Sequence, residues 1–286
     1  MTLSTDPREP CDNGTLPTAY TIVRRDGWQT VDAQIIHERL VSFFVNGQEL
    51  ATMMCTPCDL EALTLGFLSN EGVITSMDDV RLIRACPSGS CVDVWLRSAD
   101  FVTPRRTIMT SGCGGGITFD DLSKAHEPIE SSMCVTPERL WELMDELYQR
   151  AHLYSRSRGV HTSVFSDGER VLVSAEDVGR HNTLDKLRGL ALQHGIDTQD
   201  GIILTTGRIS SEMINKARSM GVPIVCSRTS PTSLSARLAA EWHMTLVGYL
   251  RRHSMNLYTH AERVLCPPGE SGTDTVYQAM GSSSRV

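Results

Sequence analysis

No stretch of the 286 residues stays apolar long enough to span a bilayer. The opening Met1-Thr2-Leu3-Ser4-Thr5-Asp6-Pro7 has neither the basic flank nor the apolar run of a secretory signal, so the expectation is a cytoplasmic protein with no membrane partner. Basic charge is not in excess either: 27 Lys and Arg against 34 Asp and Glu leave a net charge of −7. That excludes a general nucleic-acid binder, which needs a basic face to displace counterions from phosphates. The chain has no Gly-x-x-x-x-Gly-Lys-Ser/Thr loop and no Gly-x-Gly-x-x-Gly, which argues against a P-loop nucleotidase and an ordinary dinucleotide fold. It also lacks a His-x-Glu paired with a downstream Pro-Cys-x-x-Cys, so zinc-dependent deamination through His161 or His181 is not indicated. No resident metal is expected.

What the chain does have is cysteine. Nine of them, an odd number without a secretory signal, read as reduced thiols rather than a disulfide framework. Cys113 stands apart, in the loop Ser111-Gly112-Cys113-Gly114-Gly115-Gly116 between a strand-like segment and a helix-like one. Glycines leave a thiol exposed, and a following helix N-terminus would favour its thiolate. The same spacing also describes a plain tight turn, and the rest of the chain bears on the choice.

Residues 1–19 read as a flexible arm, 20–135 as a β-rich region containing the Cys113 loop, 136–266 as an α/β domain and 267–286 as a flexible tail. Leu40–Val45 followed by Asn46-Gly47 predicts a hairpin, because Asn-Gly supplies two positive φ angles. Thr56-Pro57-Cys58-Asp59 predicts a capped helix over about 57–70, and short strands follow at 81–86 and 91–97. Thr118-Phe119-Asp120-Asp121 offers a capping box, and Thr136-Pro137-Glu138 opens a longer amphipathic helix. A hairpin around Asp167-Gly168 then leads into alternation: helix 182–194, strand 201–205, helix 210–220, strand 222–226, helix 232–242, strand 244–249. Such alternation implies a mostly parallel sheet.

Three turns leading into those helices carry an arginine with small or hydroxylic neighbours: Arg180 in 176–182, Arg208 in 205–211 and Arg228 in 227–233. A cation at a helix N-terminus opposes the dipole by roughly 0.3–1 kcal/mol, so three of them ask for a compensating anion. Forked guanidinium groups, hydroxyls and helix N-termini at the carboxyl edge of a sheet suit phosphate or pyrophosphate. The plainer alternative is local neutralisation, with Glu176 and Asp177 pairing Arg180 and the other two solvated.

Glu176-Asp177-Val178-Gly179-Arg180-His181-Asn182-Thr183-Leu184-Asp185-Lys186 resembles the formate dehydrogenase accessory sulfurtransferases, the FdhD/NarQ family. So do Leu65–Ile74, Gly207-Arg208 with Glu212-Met213, Pro231-Thr232-Ser233-Leu234 and Asn256-Leu257-Tyr258-Thr259, so that the likeness runs through most of the chain. The resemblance implies a cytidine deaminase-like three-layer α/β/α sandwich preceded by a smaller β-rich region, in a homodimer. It implies a sulfur carrier that takes persulfide sulfur from a cysteine desulfurase and delivers it to the molybdenum (or tungsten) bis-guanine-dinucleotide cofactor of formate dehydrogenase. That cofactor is a client rather than a permanent group. By the same resemblance Cys113 is the persulfide carrier, and Tyr249, Leu250, Arg251, Arg252, His253 and Ser254 align with the cofactor-binding stretch. Arg180, His181, Arg208 and Arg228 join them on the anion-binding edge. Family members commonly carry Cys-x-x-Cys in the glycine loop, and here the second position is Gly116. A relay through one cysteine remains chemically complete, since a persulfide passes on its own terminal sulfur.

Two rival readings stand beside this one. A cofactor-binding chaperone would keep the pocket without transferring sulfur. A zinc protein would gather Cys55, Cys58, Cys86 and Cys91. Trp141 and Trp242 read as core residues of amphipathic helices.

Overall fold

In the computed structural model, which describes residues 14–99, 101, 108–110, 116–118 and 126–265, the chain enters as a two-stranded ribbon. Strands β1 (Thr15–Arg24) and β2 (Gly27–Ile36) pair from Thr15↔Ile36 to Arg24↔Gly27. β1 begins inside the segment expected to be an arm; residues 1–13 and the expected tail, 267–286, lie outside the described residues. Next, β3 (Arg39–Val45) and β4 (Gln48–Cys55) form the expected hairpin, with Asn46 and Gly47 at φ 49° and 81°. With β5 (Val80–Ala85) and β6 (Cys91–Leu96) they make a four-stranded sheet in the order β4-β3-β6-β5. One face of it, Val41, Phe43, Val45, Val92 and Val94, is buried against helix α1 (Leu60–Asn70) through Leu63 and Phe67.

α1 starts three residues later than the sequence predicts. Its N-cap is Asp59, at φ 50° and without a side-chain capping bond. Thr56 is not free to cap, because its hydroxyl accepts from Val178 N (3.1 Å) while its own N–H donates to Asp177 Oδ2 (3.0 Å). Short strands β7 (Ile108–Thr110) and β8 (Gly116–Thr118) pair antiparallel, so a strand opens the segment after the glycine loop, where a helix was expected. Cys113 and the proposed cap at Asp120-Asp121 lie outside the described residues.

The second half is a three-layer α/β/α sandwich. Helix α2 (Pro137–Arg150), capped as expected by Thr136, is followed by the short α3 (His152–Ser157). The central sheet has the order β10-β9-β11-β12-β13-β14, built from β9 (His161–Ser166), β10 (Val171–Asp177), β11 (Ile202–Thr205), β12 (Ile224–Ser227), β13 (Thr245–Arg251) and β14 (Ser254–Thr259). Alternating residues feed opposite layers, as strand periodicity requires. Val164, Ile202, Leu204, Ile224 and Val247 pack under α2. Phe165, Ile203, Val225 and Leu246 pack under α4 (Arg180–Gln193), α5 (Ser211–Ser219) and α6 (Ser233–Glu241).

The sheet is mixed rather than mostly parallel: only β11-β12 and β12-β13 run parallel. The hairpin inserts β9 reversed between β10 and β11, and β14, which the sequence did not announce, folds back on β13.

The two halves meet where α1 crosses α4. A Cβ on Gly66 would lie 1.7 Å from the Asp185 carbonyl oxygen, and one on Gly189 would lie 1.8 Å from that of Ala62. The helix backbones therefore touch, and only glycine fits at either position. No helix among the described residues is long and apolar enough to cross a membrane.

Candidate functional site: an arginine-rimmed edge

β10, β11, β12 and β13 all point the same way, so their C-terminal turns share one edge of the sheet. Backbone hydrogen bonds stitch these turns side by side: Thr206 N to Thr162 O (3.0 Å), Arg228 N to Thr205 O (3.2 Å) and Tyr249 N to Thr229 O (2.9 Å). Arg180, His181, Arg208, Arg228 and the 249–254 stretch are thereby brought to one edge, the position at which open α/β sheets receive ligands.

Their environments differ. Arg208, Arg228, Arg251, Arg252, His253 and Ser254 are exposed, whereas Leu250 is fully buried under α2. Tyr249 and His253 are left-handed, at φ 50° and 66°, where the β13-β14 register shifts between Gly248 and Arg251. A bulky residue at positive φ is costly, and such strain gathers at binding sites. Arg180 and His181 are buried, at 7% and 5% exposure. His181 Nδ1 lies 3.4 Å from Glu212 Oε2, and its Nε2 lies 3.0 Å from Ser210 Oγ. Burial, with the charges of Arg180 and Lys216, pushes its pKa down to about 3, so the imidazole is neutral at physiological pH. His161 is held low by burial and then by Arg180.

On the α2 side, the edge opens into a pocket of about 340 Å³ lined by Trp141, Met144, Asp145, Tyr148, Arg228, Leu250, Arg251 and Arg252. The four α2 residues are spaced i, i+3, i+4 and i+7, which places them on one helix face. The Arg228 guanidinium lies 5.6 Å from the Tyr148 ring centre, and Arg251 lies over Tyr249 at 5.5 Å. The Trp141 indole N–H is buried without a protein partner among the described residues. Trp141 thus helps wall the pocket besides packing on the core, while Trp242 is core as expected, at 3% exposure. The chemistry offered is an aromatic wall, three guanidinium groups and one carboxylate, which suits a planar base carrying phosphates.

The densest sequence motif does a second job. Lys186 Nζ pairs with Asp177 Oδ2 at 2.7 Å and donates to the carbonyls of Thr56 (3.2 Å) and Glu176 (3.1 Å). Asn182 donates to Met54 O (2.9 Å) and to Asp177 Oδ1 (2.8 Å). Asp185 takes Lys216 Nζ at 2.7 Å and Asn70 Nδ2 at 2.8 Å. The motif joins the two halves of the chain and sets α4 against the edge. Of the thiols proposed to gather zinc, Cys55 is buried in the core and Cys58 is disulfide-bonded, a departure from the expectation of reduced thiols throughout. Among the described residues no three His, Cys, Asp or Glu side chains form a metal-binding group.

The architecture defines a three-layer α/β protein with a β-rich N-terminal region and a sheet edge rimmed by arginines. The FdhD/NarQ family model matches residues 36–265, and the chain belongs to that family. It is similar to the protein named "Sulfur carrier protein FdhD" of Staphylococcus aureus strain MRSA252, with 34% identity over 238 residues, 81% of this chain and 89% of that one. The protein of the same name from strain Newman gives the same identity and coverage. A crystal structure from Desulfotalea psychrophila, of a candidate formate dehydrogenase accessory protein, superposes with TM-score 0.73 at 28% identity, covering 88% of this chain and 99% of that one.

Proposed function

We propose that this protein is a cytoplasmic, homodimeric sulfurtransferase that moves sulfur from a cysteine desulfurase to the molybdenum (or tungsten) bis-guanine-dinucleotide cofactor destined for formate dehydrogenase. Its relatives' names support the sulfur-carrying part. The observation that carries the cofactor part is the pocket in which Arg228, Arg251 and Arg252 face Trp141 and Tyr148.

Cys113 thiolate attacks the terminal sulfur of the desulfurase persulfide. The donor S–S bond breaks, the desulfurase cysteine leaves as thiolate, and Cys113 becomes the persulfide with no net oxidation. The Cys113 S–S bond would then break, returning the Cys113 thiolate and handing its outer sulfur to the acceptor cofactor, whose metal would supply the two electrons that make it sulfide; Trp141 and Tyr148 would stack the cofactor's guanine while the arginines hold its phosphates. Binding of GDP, the shared fragment, tests the pocket by calorimetry. The expected outcome is saturable binding that weakens roughly tenfold or more in Arg228→Ala and in Arg251→Ala, the loss of one charge-assisted contact each. Binding that is absent, or unchanged in both variants, removes the pocket from the mechanism.

A further inference from the structure

The β5-β6 turn, Cys86-Pro87-Ser88-Gly89-Ser90-Cys91, holds a pair of thiols that the mechanism above does not use. Cys86 and Cys91 continue the register Ala85↔Val92 as cross-strand neighbours, and Cys86 N donates to Cys91 O at 2.9 Å. The return bond of such a pair would run from Cys91 N to the Cys86 carbonyl. That carbonyl is instead taken by Gly89 N (2.8 Å), and Cys91 N donates to Cys86 Sγ at 2.9 Å. The hydroxyls of Ser88 and Ser90 lie 3.2 and 3.7 Å from the same sulfur. Arg39 fixes the turn by donating to the Ser88 carbonyl. The sulfur of a half-exposed cysteine thus sits against a backbone N–H and two hydroxyls, with a second thiol beside it.

We propose that Cys86 and Cys91 form a second thiol site, one that accepts sulfane sulfur from a persulfide. The proposal rests on the sulfur-carrier reading only for the nature of the electrophile. Electrostatics agrees with the geometry. What burial Cys86 has pushes its thiol up, but hydrogen bonds from Cys91, Ser88 and Ser90 outweigh this and bring its pKa down to about 6. The hydrogen bond to Cys86, followed by burial, holds Cys91 up at about 11. The shifts therefore favour the thiolate on Cys86 and the protonated thiol on Cys91. The core thiols behave oppositely: burial pushes Cys55 up to about 12 and raises Cys226 as well.

In the first step Cys86 thiolate attacks the outer sulfur of a persulfide R–S–SH. The donor S–S bond breaks, R–S⁻ leaves and takes up a proton, and Cys86–S–SH forms. In the second, Cys91 loses its proton and attacks Cys86 Sγ. The new S–S bond breaks, hydrosulfide departs and a Cys86–Cys91 disulfide remains. The sulfane sulfur gains the two electrons that the two cysteine sulfurs lose, so no outside oxidant enters. Hydrogen-bonded cross-strand pairs have Cα atoms about 5.5 Å apart, within the span of a disulfide. Two equivalents of a low-molecular-weight thiol restore the dithiol and leave as their own disulfide.

The test treats the full-length protein at pH 7 with cysteine persulfide and follows each thiol by peptide mass spectrometry. Cys91→Ser is expected to accumulate a gain of about 32 Da on Cys86. Wild type is expected to lose about 2 Da at the 86–91 pair and release hydrosulfide, and Cys113→Ala to leave both results unchanged. Cys86 left unmodified in Cys91→Ser while Cys113 is labelled overturns this inference and spares the carrier reading. Labelling of Cys86 but not Cys113 does the reverse. Alkylation of Cys86 by iodoacetamide in the unmutated protein needs no variant: the expected rate is half-maximal near pH 6, and a midpoint near that of an ordinary thiol, about 8.5, contradicts the proposal.

Discussion

Lys186 Nζ lies 2.7 Å from Asp177 Oδ2, and both side chains are completely buried. An ion pair in that setting contributes little net stability unless every remaining polar atom is also satisfied. Here the carbonyls of Thr56 and Glu176, the N–H groups of Thr56 and Gly179 and the Asn182 amide complete it. The pair ties the end of β4 to the start of α4, which links the β-rich half to the edge carrying the arginines.

Lys186→Met should therefore leave Asp177 charged and unpaired in the interior. The expected loss is on the order of 3–5 kcal/mol in urea-unfolding stability, far above that of an ordinary surface lysine. A loss under about 1 kcal/mol would show that the joint does not depend on this pair.

The helix crossing gives a second prediction. Gly66→Ala and Gly189→Ala each drive a methyl into a backbone carbonyl that has no rotamer to move. Each should cost roughly 3 kcal/mol, at the upper end of overpacking, and the double variant should cost less than the sum because one separation of the helices relieves both clashes. Thermal unfolding of the three variants measures this.

His181 sets a pH dependence. Its pKa is about 3 when folded and about 6.5 unfolded, so between those values the unfolded chain binds more protons. Stability contributed by the neutral imidazole is present above about pH 6.5 and is lost as pH falls toward 3. Urea midpoints measured from pH 7 to pH 4 should fall less steeply in His181→Gln than in wild type; equal slopes would place the acid sensitivity elsewhere.

Asp145 is the carboxylate in a pocket otherwise rimmed by arginine. Guanine presents two adjacent N–H donors that a carboxylate accepts together, and adenine does not. A preference for GDP over ADP should therefore shrink about tenfold or more in Asp145→Asn, with ADP binding little changed. Competition calorimetry reads the ratio directly, and an unaltered ratio assigns base selection to other groups.

Much of this was legible in the sequence because it was local. Asn46-Gly47 announced its hairpin, Thr136-Pro137 its helix, and the alternation after residue 180 its layered core. What depended on contacts between distant segments was not. Thr56 looked like a helix cap and is instead a docking residue, because Asp177 and Val178 lie against it in space. Arg180 and His181 read as ligand contacts because one sequence does not reveal burial; the structure buries both, and Asn182, Asp185 and Lys186 just after them form a joint. Trp141 read as core, yet its spacing to Asp145 and Tyr148 already marked a shared face, and Arg228 and Arg251 arrive at that face only through the sheet order. Cys86 and Cys91 looked like half of a zinc site because hydrogen bonds to sulfur leave no trace in spacing.

In the proposed relay the lone cysteine of the glycine loop, Cys113, carries sulfur with Gly116 rather than a second thiol three residues on. Incubation of the protein with a cysteine desulfurase and cysteine, followed by peptide mass spectrometry of wild type and Cys113→Ala, decides whether it does. A gain of about 32 Da on the Cys113 peptide of the wild type, reversed by a reducing thiol, is expected. A Cys113 that stays unmodified while the desulfurase itself is persulfidated contradicts it and leaves a cofactor-binding chaperone as the reading.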